Sequence, residues 1–292
     1  MHLTSFIDPK LAAHAEESRR VNTERGIRRG PSSFEELMAS RGEIPGDNTL
    51  VEAGGRQVPV RIHEPRTRPG GVYLDFHGGG FYMGSAKQDD ARNQRLADAL
   101  GVVVVSVDYR LAPEHPWPAA PDDAETAALW LLGHAVARFG TDRLVIGGFS
   151  AGSTLAVTTL LRLRDRGEAG RFGGAALQFG TYDLSGVTPA GRLIADEYFI
   201  EAYAGDAPDR TLPDISPVFA DLRGLPPLLM VIGDQDVVLE DNLVMAARVV
   251  AAGGEVDLEV YPESRHGFTN RDTEMARVAW RDIERWLTAC FS

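Results

Sequence analysis

Short apolar runs rich in β-branched residues recur along the chain from residue 72 onward, and helix-length segments separate them. The runs cover residues 72–76, 102–107, 144–146, 175–179, 228–232 and 256–260. Residues 102–105 are consecutive valines, which present apolar side chains to both faces of a strand. Such a strand is typical of a sheet covered by helices on both sides. The alternation of strands and helices therefore predicts an α/β fold with one mostly parallel sheet.

Several segments between these runs carry helix signals. Pro121, Asp122 and Asp123 suit the first turn of a helix over 122–138, because proline is tolerated there and carboxylates complement the helix dipole. Residues 239–252 place apolar side chains on one stripe and are followed by two glycines, which end a helix readily. A further helix is predicted over 273–289. Residues 57–62 instead alternate with period two, which predicts a half-buried strand.

Two regions lack this alternation of strands and helices. Residues 1–45 are polar, and Pro9 and the Pro31-Ser32-Ser33 segment predict two helical pieces, followed by a linker over 42–47. Between Phe179 and Leu228, about 48 residues carry no strand signal. That is long for a plain connection, so we expect an insertion there.

Composition narrows the class of protein. The chain has 292 residues, of which 43% are hydrophobic, enough for a full core. Its formal net charge of −12 argues against a nucleic-acid-binding protein, which normally presents a basic surface. The single cysteine, Cys290, cannot form an internal disulfide or a cysteine-rich metal site. We expect no signal peptide and no membrane span, and hence a cytoplasmic protein.

The segment Gly148-Phe149-Ser150-Ala151-Gly152 fits the pattern G-x-S-x-G. It follows the strand predicted at 144–146 and precedes a helical segment. In that context the pattern describes a sharp strand-to-helix turn that holds a serine hydroxyl above a sheet. The alternative is a glycine-rich loop with a helix-capping serine. We interpret Ser150 as a candidate nucleophile.

A second glycine-rich segment, His77-Gly78-Gly79-Gly80, follows the strand predicted at 72–76. Acyl-transfer enzymes need backbone N–H groups aimed at a developing oxyanion, and adjacent glycines can expose such groups. Ala151, the residue after the candidate nucleophile, supplies a further N–H in this pattern. The alternative is a phosphate-binding loop, but no Gly-Lys-Ser/Thr follows.

A serine hydroxyl needs a base, and the base needs an acid that orients it. Among seven histidines, His266 is the one that follows the last predicted strand. Asp234 and Asp236 follow the strand before it, and either could serve as the acid. The loop must turn back over the sheet to reach His266, which favours Asp236. The order Ser150, Asp236, His266 is that of the α/β-hydrolase triad.

The chain resembles the hormone-sensitive-lipase-like family of bacterial esterases and lipases, also called family IV carboxylesterases, over about residues 70–290. The resemblance is carried by 77–81 with Gly84, 108–116, 118–120, 150–152, Ser216-Pro217, Pro226-Pro227, 233–236 and 266–268. It implies an α/β-hydrolase fold with a sheet of about eight strands, helices on both faces and a small helical cap. The cap would comprise residues 1–45 and an insertion near 184–215, and the hydrolase domain would span 46–292.

The resemblance also implies catalytic roles for the residues that match the family motifs. It implies Ser150 as nucleophile, Asp236 as acid and His266 as base. The oxyanion donors would be the N–H groups of Gly79, Gly80 and Ala151. It implies neither metal nor other cofactor, a small-molecule ester as substrate, and homodimers like those of relatives.

Two residues depart from the family motif around the nucleophile. Many members read Gly-Asp-Ser-Ala-Gly-Gly or Gly-Thr-Ser-Ala-Gly-Gly, where this chain has Phe149 and Ser153. We expect Phe149 to shape the substrate pocket. The candidate pocket residues are aromatic: Phe81, Tyr82, Phe149, Tyr182, Tyr198, Phe199 and Phe268. A small cap favours short- to medium-chain acyl groups.

The predicted reaction is hydrolysis of carboxylic esters through an acyl-enzyme. A lactone hydrolase, a lyase or dehydratase, and an acyltransferase would use the same residues. A non-catalytic ligand receptor on the same fold is a further alternative. It is disfavoured because this chain keeps all three triad residues.

Overall fold

In residues 7–26, 30–41 and 48–292, which the computed structural model describes, eight strands form one sheet. The strands are β1 (Thr49–Ala53), β2 (Arg56–His63), β3 (Val72–Phe76), β4 (Val103–Val107), β5 (Leu144–Phe149), β6 (Phe172–Gln178), β7 (Leu228–Gly233) and β8 (Val256–Tyr261). Their order across the sheet is β1-β2-β4-β3-β5-β6-β7-β8. Strands β1 and β2 are antiparallel to each other, β2 is antiparallel to β4, and β4, β3 and β5 to β8 run parallel.

Helices connect most of the strands. They are α1 (Ala12–Arg25), α2 (Phe34–Ser40), α3 (Asp90–Leu100), α4 (Ala119–Phe139), α5 (Ala151–Asp165), α6 (Pro189–Ile194), α7 (Tyr198–Ala204), α8 (Leu239–Ala251) and α9 (Glu274–Cys290). None of those in the described ranges is both long and apolar enough to cross a membrane.

The core lies on both sides of the central strands. Every residue of β3, β4 and β7 is buried, and successive side chains point to opposite faces of a strand, so both faces are covered. Helices α4 and α5 pack against each other and onto the sheet, and α3 and α9 form a second packed pair. The predicted α/β-hydrolase architecture is confirmed.

The structure extends the predicted elements and adds others. Strand β1 was not predicted, and it pairs with β2 as a hairpin at the edge of the sheet. Strand β5 continues through two glycines to Phe149, because β3 and β6 pair with it there. Helix α4 begins at Ala119, three residues before the predicted start, so Pro121 lies in its first turn. Helix α3 was not predicted either.

The N-terminal segment docks by polar contacts. The buried side chains of α1 are Ser18 and Asn22. Asn22 Nδ2 donates to the carbonyl oxygen of Glu263 at 2.7 Å, and Arg19 pairs with the Glu263 carboxylate at 3.0 Å. Helix α1 therefore lies against the loop after β8. The predicted linker at 42–47 falls outside the described residues.

The directions of the strands bring the predicted triad and the glycine loop 77–80 to the same edge of the sheet. The carboxyl ends of β3, β5, β7 and β8 lie at one edge of the sheet, since these strands are parallel. In open α/β sheets that edge is where ligands bind. The loops after these strands carry the predicted triad and the glycine loop 77–80. Helices α6 and α7 lie in the connection between β6 and β7, the region of the predicted insertion.

Candidate active site

Ser150 occupies a strained turn between β5 and α5. Its backbone has φ 54° and ψ −123°, a conformation that costs a non-glycine residue roughly 1–3 kcal/mol. Its N–H donates to the carbonyl oxygen of Gln178 at 2.9 Å. A Cβ at Gly148 or Gly152 would lie 2.4 or 2.0 Å from the carbonyl oxygen of Phe76. Both flanking positions therefore require glycine so that β3 can lie close to the turn.

Ser153, one of the two departures from the family motif, helps hold this turn. Its side chain is fully buried. Its hydroxyl lies 2.8 Å from the carbonyl oxygen of Gly148 and 2.9 Å from that of Gln178. A glycine at this position would leave those strand-end carbonyls without this partner. Ser153 thus ties the first turn of α5 to the ends of β5 and β6.

The structure brings Ser150, His266 and Asp236 into one hydrogen-bonded chain. His266 Nε2 lies 2.9 Å from Ser150 Oγ. His266 Nδ1 lies 3.0 and 3.1 Å from the two carboxylate oxygens of Asp236. These distances are those at which a serine, a base and an orienting acid can exchange and hold protons.

Asp236, and not Asp234, reaches the histidine. Its carboxylate is buried, and Oδ1 also accepts the N–H of Val238 at 3.0 Å. Asp234 uses its backbone N–H to bond the carbonyl oxygen of Tyr261 at the end of β8, which keeps it on the strand side of the loop. Burial raises the pKa of the Asp234 carboxyl.

The electrostatics of His266 reflect opposing effects. Burial disfavours its charged form, but the charge and hydrogen bond of Asp236 outweigh burial, so the pKa of His266 lies above its ordinary value. The positive charge of Arg271 lowers the pKa of His266. The histidine is therefore a stronger base than an isolated imidazole.

Glycines 79 and 80 adopt backbone conformations that other residues rarely take, with φ of 119° and 60°. A Cβ at Gly79 would lie 2.3 Å from the carbonyl oxygen of Met83, so the loop is closed tightly around it. Within the described part of the chain, the N–H groups of Gly79 and Gly80 meet no hydrogen-bond acceptor. They are free to bind an anionic oxygen.

His77 buttresses the glycine loop. It is buried, and its ring stacks on Tyr109 with centroids 4.1 Å apart. The Tyr109 hydroxyl donates to the carbonyl oxygen of His77 at 2.8 Å. Burial lowers the pKa of His77, which favours the neutral ring. These contacts link the loop to the 108–116 segment.

The predicted pocket aromatics separate into two groups. Phe81, Tyr82, Tyr182 and Phe268 are 0–3% exposed and belong to the hydrophobic core. Phe81, for example, stacks on Tyr203 with centroids 4.0 Å apart. None of these four side chains lines either of the two clefts beside Ser150 and His266. The half-buried members are Phe149, Tyr198 and Phe199.

Two adjoining clefts flank the triad. The glycine-loop cleft, of about 680 Å³, is bounded by Gly78, Gly79 and Phe149, and two carboxylates, Asp89 and Asp108, stand on its wall. Burial raises the pKa of Asp89 to about 6. The His266 cleft, of about 800 Å³, is lined by Arg25, Gly26, Leu193, Ile194, Glu197, Gln235, Val237, Arg265, His266, Gly267, Asn270 and Arg271.

Sequence reasoning missed several of the charged residues around the site. Arg265 and Arg271 flank His266 closely in the sequence, which was a usable signal, whereas nothing in the sequence points to Arg25. Arg92 is partly buried here, paired with Asp75 at 2.9 Å. No group of three or more histidine, cysteine or acidic side chains suited to a metal ion occurs in the described residues.

The sequence profile of a family described as alpha/beta hydrolase fold matches residues 73–270. Carboxylesterase NlhH of Mycobacterium tuberculosis is 32% identical over 246 residues, which cover 77% of this chain and 75% of that protein. Ethyl acetate hydrolase of Pseudomonas putida is 31% identical over 282 residues, covering 89% and 85%.

Solved structures agree with this assignment. An esterase of Pyrobaculum calidifontis superimposes with a TM-score of 0.81 at 27% identity, covering 97% of this chain and 98% of that one. A hormone-sensitive lipase from a metagenome library has a TM-score of 0.75 at 30% identity, covering 98% and 99%. The chain therefore belongs to the α/β-hydrolase family, among its hormone-sensitive-lipase-like carboxylic ester hydrolases.

Proposed function

We propose that this enzyme hydrolyses carboxylic esters of short- to medium-chain acyl groups through an acyl-enzyme formed on Ser150. The observation that carries the proposal is the hydrogen-bonded chain in which Ser150 Oγ lies 2.9 Å from His266 Nε2, with Asp236 behind the ring. A serine hydroxyl is a poor nucleophile until a base takes its proton, and here the base is in place before substrate binds.

In the proposed reaction, His266 accepts the Ser150 proton as the oxygen attacks the ester carbonyl. The oxyanion that forms is bound by the N–H groups of Gly79, Gly80 and Ala151. His266 then protonates the leaving alcohol, and water attacks the acyl-enzyme by the same route. Asp236 holds the imidazole with Nε2 toward the serine and stabilises its charge.

The geometry of the loops supports the oxyanion assignment. The N–H groups of Gly79 and Gly80 have no acceptor in the described residues, and Ala151 opens α5, where N–H groups point away from the helix body. Loss of one such donor typically costs about 10²–10³ in kcat.

The preference for shorter acyl groups rests on the glycine-loop cleft. A volume of about 680 Å³ is that of a small-molecule site, and the Phe149 ring occupies part of its wall. Helices α2, α6 and α7 have six or seven residues each, and we assign them, together with α1, to a small cap over the sheet. The hydrolase domain would then be 46–292, with the cap formed by 1–45 and about 184–215.

The acyl-enzyme is tested by mixing excess p-nitrophenyl acetate with the enzyme and quenching in acid. We expect a burst of nitrophenol and an acetyl group on the peptide that contains Ser150. Ser150→Ala should lose both, together with at least about 10⁴-fold of the activity, while its circular dichroism stays that of the parent. Hydrolysis without any acyl-enzyme on Ser150 would contradict the proposal.

The alternatives that use the same residues predict other products. A lactone hydrolase would prefer cyclic esters, a lyase would release an alkene, and an acyltransferase would pass the acyl group to an alcohol other than water. Product analysis by mass spectrometry separates them. A cytoplasmic location and a homodimer also stay predictions, the latter testable by analytical ultracentrifugation.

A further inference from the structure

The His266 cleft has a distinct charge. Among the described residues, three arginines, Arg25, Arg265 and Arg271, stand on its wall against one glutamate, Glu197. The whole chain has a net charge of −12, so a basic wall beside the proposed catalytic base runs against the composition of the protein. The glycine-loop cleft on the other side carries Asp89 and Asp108 instead.

The three arginines differ from most others in their partners. In the described residues, no carboxylate lies within 4 Å of the guanidinium of Arg25, Arg265 or Arg271. Elsewhere arginines pair with acids, as Arg41 does with Glu114 at 2.7 Å. Burial and the charges of Arg25 and Arg265 lower the pKa of Arg271, so these cations repel one another. A bound anion would relieve that repulsion.

The cleft also has apolar walls. Leu193 is 63% exposed and Val237 42% exposed, and both line it with Ile194. An apolar group would gain about 25 cal/mol for each Å² of such surface that it covers. The cleft is therefore suited to a ligand with an apolar part and an anionic end.

The position of the cleft indicates which part of an ester enters it. In the proposed reaction His266 protonates the leaving oxygen, so that oxygen lies near His266 Nε2. The alcohol part of the substrate then extends along the wall that His266 lines. Arg271 Nη2 lies 3.4 Å from the backbone carbonyl oxygen of His266, and its charge acts on the His266 ring, so its guanidinium stands on the same cleft wall as the proposed base.

We propose that the His266 cleft selects esters whose alcohol part carries a carboxylate beyond a short apolar spacer, bound by Arg265 and Arg271 with Arg25 at the rim. This inference rests on the proposed function and adds the substrate class. Arginine is suited to the task, because its planar fork of N–H groups matches a carboxylate in two parallel hydrogen bonds.

A purely structural role for these arginines must be distinguished. Arg265 Nη1 donates to the carbonyl oxygen of Asn22 at 3.2 Å, and Arg271 Nη1 bonds the Asn22 side chain. Both contacts fix the end of α1, where cations are favourable. Each guanidinium has five N–H groups, however, so these contacts leave donors for a ligand. A structural role would not depend on the charge of the substrate.

The test compares 3-carboxyphenyl acetate with its neutral analogue 3-carbamoylphenyl acetate, followed by phenol release. 3-Carbamoylphenol is a better leaving group than 3-carboxyphenol in its carboxylate form. Faster hydrolysis of the carboxylate ester therefore cannot come from easier departure of its phenol. We expect the parent enzyme to favour the carboxylate in kcat/KM. Arg265→Gln and Arg271→Gln should each reduce the carboxylate-to-carbamoyl ratio by about tenfold. Added salt, from about 0.05 M to about 0.5 M, should reduce it in the parent.

Two controls accompany these variants. Arg265→Lys keeps the charge but not the planar fork, so it should retain part of the preference that Arg265→Gln loses. Arg68→Gln removes an exposed arginine that precedes β3, at the opposite end of the sheet from Ser150, and should change nothing. Hydrolysis of both esters with a ratio that neither arginine variant alters would overturn this inference alone. Failure to hydrolyse any ester would overturn the proposed function.

Discussion

The guanidinium of Arg92 lies 4.9 Å from the centre of the Phe149 ring, one residue before Ser150. Arg92 is itself held by Asp75, whose carboxylate also accepts from Asn93 at 3.0 Å. The ring also lies against the glycine loop, since a Cβ at Gly78 would lie 2.5 Å from it, and it packs edge-on against Phe179. Phe149 thus lies between a partly buried cation and the proposed oxyanion loop.

Phe149→Leu should shift acyl-chain preference toward longer esters. The ring forms part of the glycine-loop cleft, so a smaller side chain opens space there. We expect the ratio of kcat/KM for p-nitrophenyl octanoate over the acetate to rise several-fold, measured along a p-nitrophenyl ester series. Leu50→Val, at an exposed position of β1 that lines neither cleft, is the control. An unchanged chain-length profile would mean that Phe149 does not limit the site.

Arg92→Met should destabilise the fold. Asp75 and Arg92 are 5% and 13% exposed, and removing the cation leaves a buried carboxylate without its counter-charge. Such a loss costs about 3–5 kcal/mol in the free energy of unfolding, which urea denaturation measures. Arg277→Met breaks an exposed pair with Glu274 and should cost no more than about 1 kcal/mol. Equal effects of the two variants would refute this ranking.

Asp236→Asn should lower kcat by about 10²- to 10⁴-fold, because an amide cannot hold the imidazole in the same tautomer or stabilise its charge. Asp234→Asn, two residues away, does not remove a contact to His266 and should cost far less. Steady-state kinetics on p-nitrophenyl butyrate would rank the two. The reverse order would assign the acid to Asp234.

The pH dependence follows from the same contacts. Neutral His266 is the form that accepts a proton, so activity falls as pH drops through its pKa. Because Asp236 raises that pKa, we expect the acid limb of kcat/KM above about pH 6.5, the ordinary value for histidine. The charge of Arg271 lowers the pKa of His266. In Arg271→Gln the acid limb of kcat/KM should therefore move to higher pH when a neutral ester is the substrate. A limb that moves to lower pH would contradict the assigned charges.

The fold and triad were predictable because their signals are local. The valines of 102–105 predict a strand buried on both faces, and Gly148 to Gly152, placed between a predicted strand and a helical segment, predicts a sharp strand-to-helix turn. Strand β1 escaped prediction because its stability comes from pairing with β2. Helix α1 was expected, but its docking was not, because it buries the polar residues Ser18 and Asn22 rather than an apolar stripe.

The substrate clefts were less predictable, because distant residues form them. Arg25 and Arg265 both line the His266 cleft although about 240 positions separate them in the chain. Aromatic type alone did not distinguish pocket from core either. Tyr182 and Phe268 follow the ends of β6 and β8, and Phe149 ends β5, yet only Tyr182 and Phe268 pack inward. Only the three-dimensional arrangement separates them.

The most direct test of Ser150 as the nucleophile is labelling by a fluorophosphonate, with the modified peptide identified by mass spectrometry. We expect one adduct, on Ser150, with loss of esterase activity in proportion to labelling. In His266→Ala the labelling reaction should be greatly slowed, since the serine then lacks its base. A folded, active enzyme that acquires no adduct on Ser150 would contradict the assignment of Ser150 as the nucleophile.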